Sequence, residues 1–405
     1  MPERDRRLLY LAAFVRAVAT GLIGVLLGVY LGEIGLDAGA IGLVVSLGLA
    51  GAAAGTLLVT FLGDRLGQRR VLLAIALLSA AGGAALALGE HPMILGGAAL
   101  IGMVNGMGRD RGAALVLEQA LLPATVPEAE RTIAFARYNV LQDIGHALGG
   151  LAAGLPAVLE QGGFVAGPAA MRWSVASYAA LSLAPAAAYL GLSAARGTQA
   201  VPGVARLSPE SRRILWRISS LFALDSLAGG FLTTALLSFF FYERFGVGLA
   251  TIGPLFFAAR VANALSHLGA AWLARRIGLV NTMVFTHIPS SLLLVSVAYA
   301  PSFPVAAVLF LLREGLVEMD VPTRQSYVMA LVRPAERTVA SGVTHLVRMG
   351  AWAVAPAFAG LMMEDVSLML PLLLGAGMKI AYDILLWRAF RNLKPPEELG
   401  SASVT

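Results

Sequence analysis

The sequence predicts an all-α membrane protein of twelve transmembrane helices arranged in two pseudo-symmetric six-helix bundles. Three observations predict it. Of the 405 residues, 58% are apolar and only 13% charged, about half the charge of a soluble domain. The apolar residues come in blocks, such as Ala38–Gly63 and Val71–Gly89, that hold no charge and can cross about 30 Å of hydrocarbon at about 1.5 Å per residue. The blocks also repeat in register, one half of the chain against the other.

Taken in order, the apolar segments fall at roughly 8–31, 39–63, 71–89, 93–122, 132–158, 171–193, 213–242, 248–274, 279–300, 303–332, 338–363 and 367–391. The first follows the basic stretch Met1–Arg7 and has span length without a small-residue cleavage site, so it reads as a span rather than a signal peptide. Glycine and alanine fill the blocks, as expected where helices approach closely in lipid. Spans one to six make a first bundle, 1–193, and spans seven to twelve a second, 213–405. The polar stretch 194–212, with Arg196, Pro202, Arg206, Pro209 and Arg212, reads as the cytoplasmic linker.

Charge orders the loops. Arg4, Arg6, Arg7, Arg65, Arg69, Arg70, Arg131, Arg275, Arg276, Arg333 and Arg337 fall in alternate loops, and Glu33, Asp37, Glu90, Glu160, Glu243 and Glu364 in the others. This asymmetry predicts that both termini lie in the cytoplasm. It also accounts for the formal charge of +6 without nucleic acid as a partner. With no cysteine, disulfides and thiol chemistry are excluded.

The repeat has three anchors. Leu62–Gly67 follows span two and Leu273–Gly278 follows span eight, 211 positions later (273 minus 62). Ile41-Gly42 and Ile252-Gly253 share that offset. Ala129–Thr132 opens span five and Ala335–Thr338 opens span eleven, 206 positions later (335 minus 129). Both units start on the same side, which implies parallel halves related by an axis along the membrane normal, a plan found among secondary transporters.

Gly63-Asp64-Arg65-Leu66-Gly67-Gln68-Arg69-Arg70, between spans two and three, resembles the signature loop of the major facilitator superfamily. The resemblance implies that Asp64 stabilises the start of span eleven. It also implies that Arg65 and Arg69 pair with Glu118 at the inner end of span four, so that the four residues latch the inner side shut; a carboxylate at a helix N-terminus suits the dipole there. Gly145–Gly150 in span five resembles, with His146 in place of a proline, the glycine-rich motif of the family's antiporters.

Ionisable residues inside a membrane are costly and mark cavities or partners. The candidates for substrate binding or proton coupling are Arg16 in span one, Arg109 in span four, Asp143 and His146 in span five, Asp225 in span seven, Arg260 in span eight, Glu314 and Glu318 in span ten, and His345 and Arg348 in span eleven. Glu314 and Glu318 share a helix face with no partner on their own helix, an arrangement that suits a proton-coupling site. Arg313, Asp320 and Arg324 can pair among themselves. Arg16 and Asp225 occupy nearly equivalent repeat positions and carry opposite charge, so they could pair across the bundle interface. Lys379 and Asp383, four apart in span twelve, read as a structural pair. The five histidines show no metal spacing, so no metal and no cofactor is expected.

Together with the resemblance, these features imply a monomeric secondary transporter in a bacterial inner membrane, and not an enzyme. Its partners would be a small-molecule substrate, protons and the lipid bilayer. The leading expectation is proton-coupled export of amphipathic or toxic compounds. The alternative is a symporter or exchanger for an organic anion held by cavity arginines.

Overall fold

The computed structural model describes residues 2–109, 112–127, 130–165, 167–193, 208–320, 324 and 337–391; within them, side chains at 2, 61–65, 132, 267–268, 271, 337–339 and 341 fall outside the description. The described chain is helix, turn and loop. The first half runs α1 (Pro2–Glu33), α2 (Ala38–Leu66), α3 (Gln68–Leu88), α4 (Pro92–Gly102), α5 (Ala113–Leu121), α6 (Arg131–Ala152), α7 (Leu155–Gln161) and α8 (Pro168–Gly191). The second half runs α9 (Pro209–Gly230), α10 (Thr234–Phe245), α11 (Leu249–Ile277), α12 (Leu279–Ala298), α13 (Phe303–Val317), α14 (Arg337–Asp365) and α15 (Leu370–Phe390). Among the described residues, eight helical stretches are long and apolar enough to cross a membrane, and α4 and α5 add shorter apolar helices. Exposed Leu77, Leu78, Ile101, Trp173, Phe285 and Leu312 give these helices apolar outer faces suited to lipid.

Three spans expected to be continuous are broken. Span four stops at Gly102, where Met103 turns left-handed at φ 53°, and resumes only at Ala113. The interruption is rich in glycine, and Asn105 organises it: its Oδ1 accepts from the Met107 backbone N–H at 2.9 Å, and its Nδ2 donates to the Arg109 carbonyl. Such side-chain bonds compete with helix. Span five breaks at Ala153 and Gly154, with Pro156 in the first turn of α7, where a missing N–H costs nothing. Span seven breaks after Gly230, and Thr233 caps α10 by accepting from the Leu236 N–H at 3.3 Å. Span ten is helical to Val317. The bend expected at Pro322 lies outside the described residues.

Packing divides the chain into two units. The first comprises Met1–Ala200, Thr233–Phe257 and Pro356–Leu368; the second comprises Val201–Leu232, Ala258–Ala355 and Met369–Thr405. So α10, the start of α11 and the end of α14 pack with the first half of the sequence. In that unit, the Ala235 N–H donates to the Gly106 carbonyl at 3.0 Å and Thr234 Oγ1 donates to the Met107 carbonyl at 2.8 Å. The broken backbone of span four therefore has partners for carbonyls that hydrocarbon could not satisfy.

The repeat is visible in the backbone. Gly67 and Gly278, the equivalent turn residues, both adopt φ 86°, a region that favours glycine. Gly42 of span two sits where a Cβ would meet the Pro356 carbonyl oxygen at 2.2 Å and Gly360 Cα at 2.9 Å. On its equivalent, Gly253 of span eight, a Cβ would meet the Gly150 carbonyl oxygen at 3.0 Å and Gly154 N at 3.3 Å. Gly150 and Gly154 lie 206 positions before Pro356 and Gly360 (356 minus 150), so both crossings obey the offset read from the sequence. In the first half, the helix expected at the centre is central and the one expected in lipid is peripheral: 78% of the apolar stretch of α1 is buried, against 33% for α3.

Candidate functional site

Each unit buries a polar cluster centred on one carboxylate. In the first unit it centres on Glu118 of α5, which has no exposed surface. Arg16 Nη2 of α1 donates to its Oε2 at 2.5 Å. Tyr138 of α6 donates to the same oxygen at 2.6 Å, and Tyr189 of α8 to Oε1 at 2.5 Å. Spans one, four, five and six thus meet at one carboxylate, an arrangement of charge-assisted bonds strong enough to justify burying it. Beside the cluster lies a cavity of about 60 Å³ whose lining includes Arg16, Thr20, Ser79, Asn105, Tyr178 and Ser182. Such a cavity has polar lining and room for ordered water.

In the second unit the centre is Asp225 of α9, 4% exposed. Lys379 Nζ of α15 donates to its Oδ1 at 2.9 Å. Arg324 Nη1 donates to Oδ2 at 3.3 Å, and Arg348 Nη2 of α14 lies 3.7 Å from Oδ2. Arg324 also pairs with Asp320. Arg348 lies over the Trp352 ring, 4.8 Å from its centroid, and 5.9 Å from that of Phe222. Behind Lys379, His287 of α12 sits between two charges: Nε2 is 3.3 Å from Lys379 Nζ and Nδ1 is 3.0 Å from Asp383 Oδ1. His287 and Asp383 are 1% and 0% exposed. A third group in this unit joins Glu314 to Asn263, whose Nδ2 donates to both the Glu314 carbonyl and Oε2 at 2.8 Å, and to Arg313.

These placements revise several pairings. Arg16 and Asp225, expected to meet each other, each have partners inside their own unit. Glu118, expected to hold Arg65 and Arg69, gives its oxygens to Arg16 and two phenols; the side chains of Asp64 and Arg65 lie outside the described residues, and Arg69 is half-buried in the first turn of α3. Glu314, expected to lack a partner on its own helix, is paired with adjacent Arg313, because a buried carboxylate takes the nearest cation. Arg313 is thereby drawn away from Asp320 and Arg324. Glu318 stands one position beyond α13 as its C-cap. Lys379 is turned from Asp383 to Asp225, with His287 inserted between them.

Of the other candidates, His146 is buried in α6, with its carbonyl oxygen 2.3 Å from where a Cβ on Gly21 would sit. Asp143 is exposed on the same helix, while Arg260 of α11 and His345 of α14 are half-buried. Arg109 lies in the interruption of span four. The sequence reading missed the contact between His287 and Asp383; the available signal was two polar residues on spans expected to be poor in charge.

Residues 9–356 match the Major Facilitator Superfamily. An uncharacterized membrane protein of Saccharomyces cerevisiae is 25% identical over 95% of this chain and 93% of its own length. Among solved structures, the nucleoside transporter NupG superimposes with a TM-score of 0.76 at 18% identity, covering 96% of this chain and 99% of that one. The xylose transporter XylE from E. coli, inward open, gives 0.70 at 14% identity, covering 97% and 98%. The likeness to these two structures is one of fold. With the matched span of sequence, the register of the repeat and the helical plan in agreement, the chain belongs to the Major Facilitator Superfamily.

Proposed function

We propose that this multi-pass membrane protein is a secondary transporter that moves a small solute bearing a carboxylate or phosphate by alternating access, coupled to protons. The observation that supports this reading is the setting of Arg348. Its guanidinium rests on Trp352 and Phe222, and its ion pair with Asp225 is long at 3.7 Å, while Lys379 holds the other Asp225 oxygen at 2.9 Å. A stacked guanidinium with one distant carboxylate is well suited to a bidentate anion. In this reading the loop asymmetry sets both termini on the cytoplasmic side of a plasma membrane, and Asp64, Arg65 and Arg69 act as a latch on that side.

Export of amphipathic compounds is the second reading, and the span-five glycines favour it. They have a packing use as well: a Cβ on Gly145 would meet the Phe14 carbonyl oxygen at 2.7 Å, and one on Gly149 the Val18 carbonyl oxygen at 2.1 Å. The test is flux in proteoliposomes that enclose a pH dye, with a panel of organic anions, neutral drugs and lipophilic cations. Anion flux with proton movement, reduced at least tenfold in Arg348→Gln, is the expected result. Responses confined to cations or neutral drugs would overturn the anion reading in favour of export.

A further inference from the structure

Four groups in the second unit form a single chain: Asp383 Oδ1 to His287 Nδ1 at 3.0 Å, His287 Nε2 to Lys379 Nζ at 3.3 Å, and Lys379 Nζ to Asp225 Oδ1 at 2.9 Å. Donor counting fixes its polarity. Lys379, charged in its pair with Asp225, has only N–H donors, so His287 Nε2 must accept. The histidine proton then sits on Nδ1 and is donated to Asp383 Oδ1. Every position along the chain is occupied except its far end. Asp383 Oδ2 is buried and has no hydrogen-bond partner among the described residues, and neither has the hydroxyl of adjacent Tyr382.

We infer that Asp383 is a proton-binding site, set on spans nine and twelve, whose occupancy is transmitted through His287 and Lys379 to the anion-holding arginines around Asp225. A proton adds to the free lone pair of Oδ2, and no existing hydrogen bond has to break. The carboxylate becomes a neutral acid, and its bond from His287 loses its charge assistance. The groups facing this site are His287 on α12, Lys379 and Tyr382 on α15, Asp225 on α9, Arg348 on α14, and Asp320 and Arg324 after α13, with Glu318 capping that helix. Whatever their starting balance, neutralising Asp383 makes the cluster one charge more positive. An anion at Arg348 is therefore held more tightly when the proton is on, and by linkage the proton is held more tightly when the anion is present. Proton and anion travel together under this scheme.

The inference rests on the transporter reading for its purpose, but not for its test. The full-length protein in lipid is titrated from alkaline to acidic pH while infrared absorption follows the protonated-carboxyl band, with no solute added. The expected result is a band that grows on acidification, is lost in Asp383→Asn and persists in Glu318→Gln. Asparagine keeps the acceptor that His287 uses, and thermal unfolding of the variant checks that it is folded. His287→Asn, which keeps a donor toward Asp383 but severs Lys379, is expected to retain the band and move its midpoint. A band undiminished in Asp383→Asn, or none in the parent protein, overturns the site. A midpoint unmoved in His287→Asn overturns the transmission. Anion flux in the same vesicles reports on the transporter reading separately: flux without the Asp383 band removes the proton site alone, and the band without flux removes the coupling to transport.

Discussion

The Glu118 cluster and the Asp225 cluster are built from the same kinds of residue at equivalent stages of a duplicated plan, yet they close differently. Around Glu118, one carboxylate meets one guanidinium and two phenols, and both oxygens are taken at 2.5–2.6 Å. Around Asp225, one carboxylate serves three cations at 2.9, 3.3 and 3.7 Å, and the network ends in an unused carboxylate oxygen. The first arrangement uses both carboxylate oxygens and ties four spans of one bundle together. The second has a loosely held arginine at one end and an open acceptor at the other. Duplication supplied two equivalent places for buried charge, and the two differ in how their carboxylate oxygens are used.

Removing the two central carboxylates breaks the comparison most severely. Asp225→Ala takes from Lys379 and Arg348 the carboxylate they share, while Arg324 keeps Asp320, and Glu118→Ala takes from Arg16 the carboxylate it pairs with. Stranding buried charge costs about 3–5 kcal/mol, and Asp225→Ala should lie toward the upper end because two cations lose their carboxylate there. Thermal unfolding of the purified protein measures both. Adding Arg16→Leu should restore most of the stability lost in Glu118→Ala, since one cation is all that has to be removed. Adding Lys379→Met to Asp225→Ala should restore only part, since Arg348 remains. Equal rescue in both would mean that the clusters do not differ in the way their geometry states.

The next contrast is between the two glycine crossings of the first unit. A Cβ on Gly42 would stand 2.2 Å from the Pro356 carbonyl oxygen, and one on Gly253 would stand 3.0 Å from that of Gly150. Overpacking typically costs about 1–3 kcal/mol, so Gly42→Val should loosen the span-two crossing more than Gly253→Val loosens its counterpart. The chain has no cysteine, so a single Ser46→Cys reports directly. Ser46 is buried and accepts the Ala357 N–H at 2.8 Å. Thiol labelling there should be slow in the parent, fastest with Gly42→Val and near the parent rate with Gly253→Val, whose crossing lies against span five. Unchanged labelling in Gly42→Val would show that this crossing does not hold spans two and eleven together.

The register of those crossings was legible in the sequence, as was the paired turn at Gly67 and Gly278, because both are carried by residues a fixed offset apart. Asp225 and Arg348 were legible too, since a charge inside an apolar block announces itself. The partners were not. Helical spacing says which side chains share a face but not which helix that face meets, so Glu118 was assigned to loop arginines when Arg16 from span one reaches it. Two adjacent side chains, Arg313 and Glu314, converge despite pointing 100° apart on an ideal helix, because burial leaves the carboxylate no water to turn to. The interruption of span four was hidden by apolar residues on both sides, although Asn105 among glycines carried the signal. His287 and Asp383 passed for packing and a local pair, since nothing in a single chain of letters shows a histidine inserted between a lysine and an aspartate from another helix.

The smallest expected effect separates satisfied from unsatisfied hydroxyls, and so bears most closely on the difference between the clusters. Tyr189 and Tyr382 are both fully buried. The Tyr189 hydroxyl donates to Glu118 at 2.5 Å, and that of Tyr382 has no partner among the described residues. Interhelical hydrogen bonds in membranes are worth about 1 kcal/mol, so Tyr189→Phe should lower the unfolding temperature measurably. Tyr382→Phe removes a polar atom whose desolvation has no compensating bond, and it should leave the temperature unchanged or raise it. A comparable loss in Tyr382→Phe would mean that its hydroxyl is bonded in the folded protein. Stability of a single phenol-to-phenyl change therefore tests whether the second cluster is open at its far end or closed like the first.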